Sequence, residues 1–244
     1  KPKNGDKVLL RAALGVYALQ GQVQCSVFSM RNDGLGDLYL QFELLKKKLY
    51  EMGLFNDERK KPIPSYPKSI GIITGRETAA LQDMLKTMTL RWPIVEVTIY
   101  PSLVQGDQAA RNIIAQLTKA DRNQHDVLLL ARGGGSIEDL WAFNNEQLAY
   151  AIDALKTPLI TGVGHETDTT IADLVADLRA ATPTAAVQLA VPDINEVEQN
   201  VRTQLRRLNQ IMDTQLDKQR VALRQVQNHP VFTQPQRLLM SHQL

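Results

Sequence analysis

The chain has 244 residues, of which 43% are hydrophobic and 5% aromatic, and 28 Lys and Arg stand against 26 Asp and Glu for a formal charge of +2. That length supports a full core and more than one structural unit. The near-neutral charge excludes a domain held to nucleic acid by bulk basicity, so any polyanion site has to be built locally.

No run of about 18 apolar residues occurs, and no charged-then-apolar leader, so neither a membrane span nor a secretion signal is expected. The one cysteine, Cys25, cannot form an internal disulfide or a cysteine-based metal cluster, and suits a reducing cytoplasm. It lies in the strand-like run QVQCSVF and is expected to be a buried apolar residue. Residues 1–31 read as two or three strands with Gly21 at a turn. So few strands make no stable domain alone, so the stretch reads as the end of a larger β-barrel that begins outside this sequence.

Residues 32–66 form a helical linker. FELLKKKLYEMG has helical spacing at Phe42, Leu45 and Leu49 and a helix stop at Gly53. The prolines of KKPIPSYPKS then mark a boundary. From 67 to 192 short apolar runs alternate with amphipathic segments. The runs are SIGIIT (69–74), VEVTIYP (95–101), DVLLLARG (126–133) and PLITGVGH (158–165). Between them, TAALQDMLKTMTLRW, DQAARNIIAQLTKA and EQLAYAIDAL carry helical spacing. The order β-α-β-α-β-α-β predicts a small doubly wound α/β domain with a parallel sheet covered on both faces. Residues 193–244 read as the start of a coiled-coil segment, opening with a long helix that has Asp193 as a candidate N-cap and an apolar stripe at Ile194, Val197, Val201, Leu205, Leu208, Met212, Leu216, Leu223 and Val226. The stripe steps nearer an eleven-residue repeat than a heptad, which predicts a nearly straight helix. His229-Pro230 ends it, and QRLLMSHQL reads as the start of a second helix. A stripe this narrow requires a partner helix.

In open α/β sheets ligands bind beyond the carboxyl ends of the strands, and the chemistry-bearing residues cluster there. ARGGGSIEDL follows the third strand. Its glycines, Gly133, Gly134 and Gly135, allow close backbone approach and positive φ. Ser136 is placed to start a helix whose free N–H groups favour an anion, and Arg132 can grip a phosphate bidentately. The alternative is a tight strand-to-helix turn with a surface arginine. No Lys-Ser/Thr follows, so it is not a Walker loop. GHETD follows the fourth strand and puts His165 at the rim with Asp168 three residues on, as the next helix begins. An imidazole and a carboxylate so close can act on one scissile group or orient each other. Asp168 reads equally as a plain helix-start residue. Asp83 on the first helix is ordinary on its own. Asp173 and Asp177 read as solvated or structural, and His125, His229 and His242 as without chemistry. Trp92 and Trp141 read as packing residues rather than base-stacking ones.

GVGHETDTTIADLVADLRAATPTAA, ARGGGSIEDLWAFN, TIYP followed by VQGD, and LFNDERKKPIPSYPKSIGIITG, in that order and spacing, resemble the exonuclease VII large-subunit family. The match is close over about residues 35–192. The resemblance implies an OB-fold end before it and a coiled coil after it. It also implies hydrolysis of single-stranded DNA from both ends to 5′-phosphorylated products. It further implies a cytoplasmic enzyme whose coiled coil carries many copies of a small helical subunit. Residue by residue, the family's essential Asp, Arg, His and second Asp fall on Asp83, Arg132, His165 and Asp168. Gln188 departs from the Glu usual after TPTAA. No cofactor is strictly required on this resemblance, and Mg²⁺ stays a candidate without an assigned site. Asp83 and Asp168 can orient His165, activate water or hold that ion, and the sequence does not choose. The residues admit two rival readings: an α/β enzyme cradling a nucleotide or sugar phosphate on RGGGS, and a non-catalytic DNA-repair scaffold.

Overall fold

A computed structural model describes residues 8–17, 22–32, 35–133, 140–163, 169–229 and 233. The chain forms two compact units, Lys1–Val191 and Pro192–Leu244. In the first, β1 (Val8–Tyr17) and β2 (Gln22–Asn32) pair antiparallel, with a register shift between Arg11 and Ala12. Leu14, Val23 and Phe28 of this ribbon are exposed. So is Cys25, which corrects the expectation that it is buried. A two-stranded ribbon has two faces and its own pairing covers neither. Helix α1 (Leu35–Glu51) follows. It fully buries Leu49 and stops at Gly53, whose φ of +74° lets the Leu54 N–H turn back to the Leu49 carbonyl at 3.1 Å.

The remaining strands are β3 (Ser69–Thr74), β4 (Glu96–Pro101), β5 (Val127–Ala131), β6 (Leu159–Gly162) and β7 (Leu178–Arg179). They form one parallel sheet in the order β4-β3-β5-β6-β7. The four predicted strands are all present. The two-residue β7 lies in ADLRAAT, which has no apolar run to announce it. The helices are α2 (Ala79–Arg91), α3 (Ala109–Arg122), α4 (Glu146–Asp153), α5 (Ile171–Val175) and α6 (Pro183–Ala190). α2 packs on α6, while α3 packs on α4 and α4 on α5. Both faces of the sheet are therefore covered. That is why every residue of β5, the central strand, is buried. Side chains alternate across the sheet. Leu128 and Leu130 join one core cluster with Ile113, Leu117, Leu148 and Ile152, from α3 and α4. The intervening residues face α2 and α6.

Three aspartates tie loops to the strand starts. Asp126 accepts from the Lys68 and Ser69 N–H groups at 2.7 and 3.0 Å, and Asp121 from those of Lys156 and Thr157. Asp177, its side chain only 4% exposed, accepts from the Leu159 and Lys61 N–H groups and from Lys61 Nζ. Of the two readings the sequence allowed for Asp177, the structural one holds. Asp177→Ala would strand two backbone donors and a half-buried ammonium. It is expected to cost about 2–4 kcal/mol in denaturant unfolding, and a loss under 0.5 kcal/mol would contradict that.

Just before β5, Asn123 Nδ2 donates to Tyr100 Oη at 2.6 Å, and Tyr100 Oη meets His125 Nε2 at 2.8 Å. Which of the two donates in the Tyr100–His125 bond depends on the His125 tautomer. Burial lowers the His125 pKa below the usual 6.5, against the opposing pull of Glu96 and Asp126. The unfolded chain therefore takes up this proton first. His125 is expected to contribute stability above pH 6.5 and to lose it as the pH falls below that value. His125→Phe should flatten that part of the stability–pH curve, and an unchanged slope would refute the assignment.

In the second unit α7 (Ile194–Gln227) is a single helix of 34 residues, capped by Asp193 Oδ1 on the Asn195 N–H at 2.9 Å. Val201, Leu205, Leu208, Met212 and Leu216 of its apolar stripe are each about half exposed. Arg202 pairs with Glu198 one turn away, in keeping with a solvated charged face. The segment read as a second helix lies outside the described residues. Among the described residues no helix is long and apolar enough to cross a membrane.

Candidate active site

In domain order the strands run 2-1-3-4-5, so the winding reverses between β3 and β5. The chain leaves those two neighbours in opposite directions, which opens a crevice at their carboxyl ends. β3 ends at Thr74 and Gly75. A β-carbon on Gly75 would lie 2.8 Å from Thr78 Cγ2, so a larger residue there would have to displace the Thr78 side chain. Thr78 caps α2, its Oγ1 accepting from the Leu81 N–H at 3.2 Å. Glu77, inside this turn, has a φ of +56°. A non-glycine residue held in the left-handed region costs about 1–2 kcal/mol, and such outliers gather at functional sites. Nothing in the sequence signalled it.

β5 ends at Ala131. The Arg132 N–H still donates to the Gly162 carbonyl at 3.1 Å, so the ladder runs one residue past the strand. Alternation then assigns Arg132 to the face of Leu128 and Leu130, which α3 and α4 cover. Its side chain is buried, with the residue 4% exposed. The surface arginine of the alternative reading is thereby excluded. Gly133 faces the other way, where a β-carbon would sit 3.4 Å from Ala80 Cβ on α2. Its φ lies outside the left-handed region, so the positive φ offered for the glycine run does not apply to Gly133. Asp83 is exposed and stands one helical turn beyond Ala80, on the same side of α2. The structure thus sets Gly133 against the α2 helix that carries Asp83, while Arg132 lies on the opposite face of the same strand end.

β6 closes the other side. A β-carbon at Gly162 would lie 2.9 Å from the Thr182 carbonyl oxygen and 3.1 Å from Pro183 Cα and Ala186 Cβ. This glycine is what lets the start of α6, capped by Thr182 on the Ala185 N–H, settle on the strand end. The TPTAA motif is therefore a packing device against Gly162, with Gln188 exposed on its outer side. Val163 is buried, and α5 begins at Ile171. Residues 164–168, with His165 and Asp168, lie outside the described residues, as do Gly134, Gly135 and Ser136.

Thr170, not Asp168, caps α5, in a reciprocal box with Asp173. Asp173 Oδ2 takes the Thr170 N–H at 2.9 Å and its hydroxyl at 2.8 Å. The Thr-x-x-Asp spacing was the readable signal for it. Asn144 Oδ1 accepts from the Ile171 N–H at 2.9 Å. It thereby pins the segment after RGGGS to the helix after GHETD, a link the sequence reading missed. Trp92 is buried and donates Nε1–H to the Pro67 carbonyl, a packing role as expected. Among the described residues no group of three His, Cys, Asp or Glu side chains comes together as metal ligands.

A family model described as "Exonuclease VII, large subunit" matches residues 54–244. The chain is similar to the exodeoxyribonuclease 7 large subunit of Oceanobacillus iheyensis, at 47% identity over 238 residues, 98% of this chain and 52% of that protein. Its counterparts in Bacillus subtilis, at 45% over 239 residues, and Lactiplantibacillus plantarum, at 46% over 239 residues, are alike. The chain spans about half the length of these curated relatives. With the family matched over most of its length, the chain belongs to the exonuclease VII large-subunit family.

Proposed function

We propose that this chain carries the hydrolytic centre of an exodeoxyribonuclease VII. It would cut phosphodiester bonds of single-stranded DNA from both the 5′ and 3′ ends and leave 5′-phosphates. The observation that carries the reading is the buried Arg132 at the carboxyl end of β5, next to Gly133, whose other face meets Ala80 of α2. A phosphodiester needs its charge neutralised as the pentacoordinate state forms. A preorganised, desolvated guanidinium does that at little reorganisation cost. An imidazole is the side chain suited to proton transfer near neutral pH, and His165 supplies one to move the proton to or from water and the leaving oxygen. Asp83 and Asp168 supply the carboxylates that orient it or position water. No metal is assigned to the site. Relatives named as a large subunit support a complex, which on this reading is cytoplasmic and has copies of a small helical subunit docked on the exposed stripe of α7.

The test is degradation of end-labelled single-stranded and duplex DNA by the complete protein with its small subunit, with and without EDTA. Single-stranded DNA should be preferred and both label positions released. His165→Ala is expected to lower the rate by about 10²–10⁴-fold. Equal rates for the variant and the parent would overturn the proposal.

A further inference from the structure

A cavity of about 290 Å³ opens at the carboxyl rim on the α3 side of the sheet, lined by Gly106, Asp107, Ala110, Trp141, Asn144 and Asn145. It lies between the loop that follows β4 and the turn Trp141–Phe143 that follows the RGGGS segment. Alternation puts Arg132 on this same face. The volume is at the small end of ligand pockets, the size for one flat ring system rather than a whole cofactor.

Its chemistry is specific. Asn145 Oδ1 accepts from the Leu148 N–H at 3.1 Å and Asn144 Oδ1 from the Ile171 N–H. Backbone N–H groups only donate, so the oxygen of each amide is fixed on the protein side. That leaves both Nδ2 groups as donors which no described residue accepts. Trp141 is half-buried, unlike Trp92, and contributes an indole face. Asp107, exposed at the mouth, repels a phosphate but accepts from an exocyclic amine.

From the half-buried indole, the two oriented amide donors and the acidic mouth of this cavity, we infer that it is a nucleobase subsite for a nucleotide next to the one being cut. Trp141 stacks on the base, and the amides of Asn144 and Asn145 donate to ring or carbonyl acceptors. Every base carries such an acceptor, so the subsite grips a base without reading its identity, as a nuclease of general single strands requires. The inference rests on the nuclease reading and replaces a packing role for Trp141 with direct contact to substrate.

The test uses the complete protein and a phosphorothioate oligonucleotide scanned one position at a time with an abasic nucleotide. The parent protein is expected to bind about 5-fold or more weakly when one position lacks its base. Trp141→Ala should show that weaker affinity already on the intact strand and lose nothing further at that position. Trp141→Phe, which keeps a stacking face and guards against misfolding, should retain the position dependence. If Trp141→Ala binds like the parent, or weakens every strand alike with the abasic penalty intact, the subsite is refuted. Hydrolysis of the ordinary phosphodiester strand is followed separately. Base dependence without hydrolysis would support the subsite and sink the nuclease reading, and hydrolysis without base dependence would do the reverse.

Discussion

Arg132→Ala is expected to lower the turnover of single-stranded DNA by about 10²–10³-fold, the usual loss when one preorganised charge-stabilising group leaves a transition state. The residue is 4% exposed, and its amide is held on the Gly162 carbonyl. The backbone that carries the guanidinium is therefore held by the sheet rather than by a pliable loop. Arg132→Lys should recover only part of the rate, because an ammonium restores charge without the planar fork that meets two phosphate oxygens. The loss should fall on kcat more than on KM, since charge accumulates at the phosphoryl group as the bond breaks. A thermal melt of each variant separates this from unfolding. A variant that stays folded and cuts at the parental rate would remove Arg132 from the chemistry.

Gly162→Val is expected to be the most damaging small substitution in the sheet. Its β-carbon would meet the Thr182 carbonyl oxygen at 2.9 Å and two atoms of α6 at 3.1 Å. The oxygen and Pro183 Cα are backbone and cannot rotate away, so the start of α6 has to retreat from β6. Overpacking of this kind costs about 1–3 kcal/mol and more where the neighbours are rigid. Activity should fall with it, because GHETD leaves the same strand end. Gly133→Ala is the control, since its nearest neighbour, Ala80 Cβ at 3.4 Å, is at ordinary contact distance. It should cost less than about 1 kcal/mol. Equal destabilisation by the two substitutions would contradict the packing derived for TPTAA.

Hydrophobic periodicity made most of the scaffold legible. The four longer strands and the helices between them are bounded apolar runs and amphipathic segments, and both signals survive without an alignment. β7 was not legible because two residues cannot carry a period. It exists because Asp177 and the ladder partners Ile160 and Thr161 hold it. Cys25 was misjudged because strand-like alternation reports a pleat, not whether anything covers it. Arg132 was legible as chemistry but not as buried, since burial of an arginine depends on which face of a central strand it falls on. Asn144 was opaque for a related reason. Its role comes from the meeting of segments after β5 and β6, and no spacing within one segment encodes that meeting. The placement of His165 and Asp168 beside Arg132 rests on chain order and family likeness.

The decisive measurement is a crystal structure of the complete protein with a bound phosphorothioate oligonucleotide. A backbone phosphate should sit about 2.7–2.9 Å from the Arg132 guanidinium, in the crevice between the ends of β3 and β5, with His165 within hydrogen-bond reach of it. A strand bound only elsewhere, with no phosphate at that crevice and His165 turned away from it, would contradict the site.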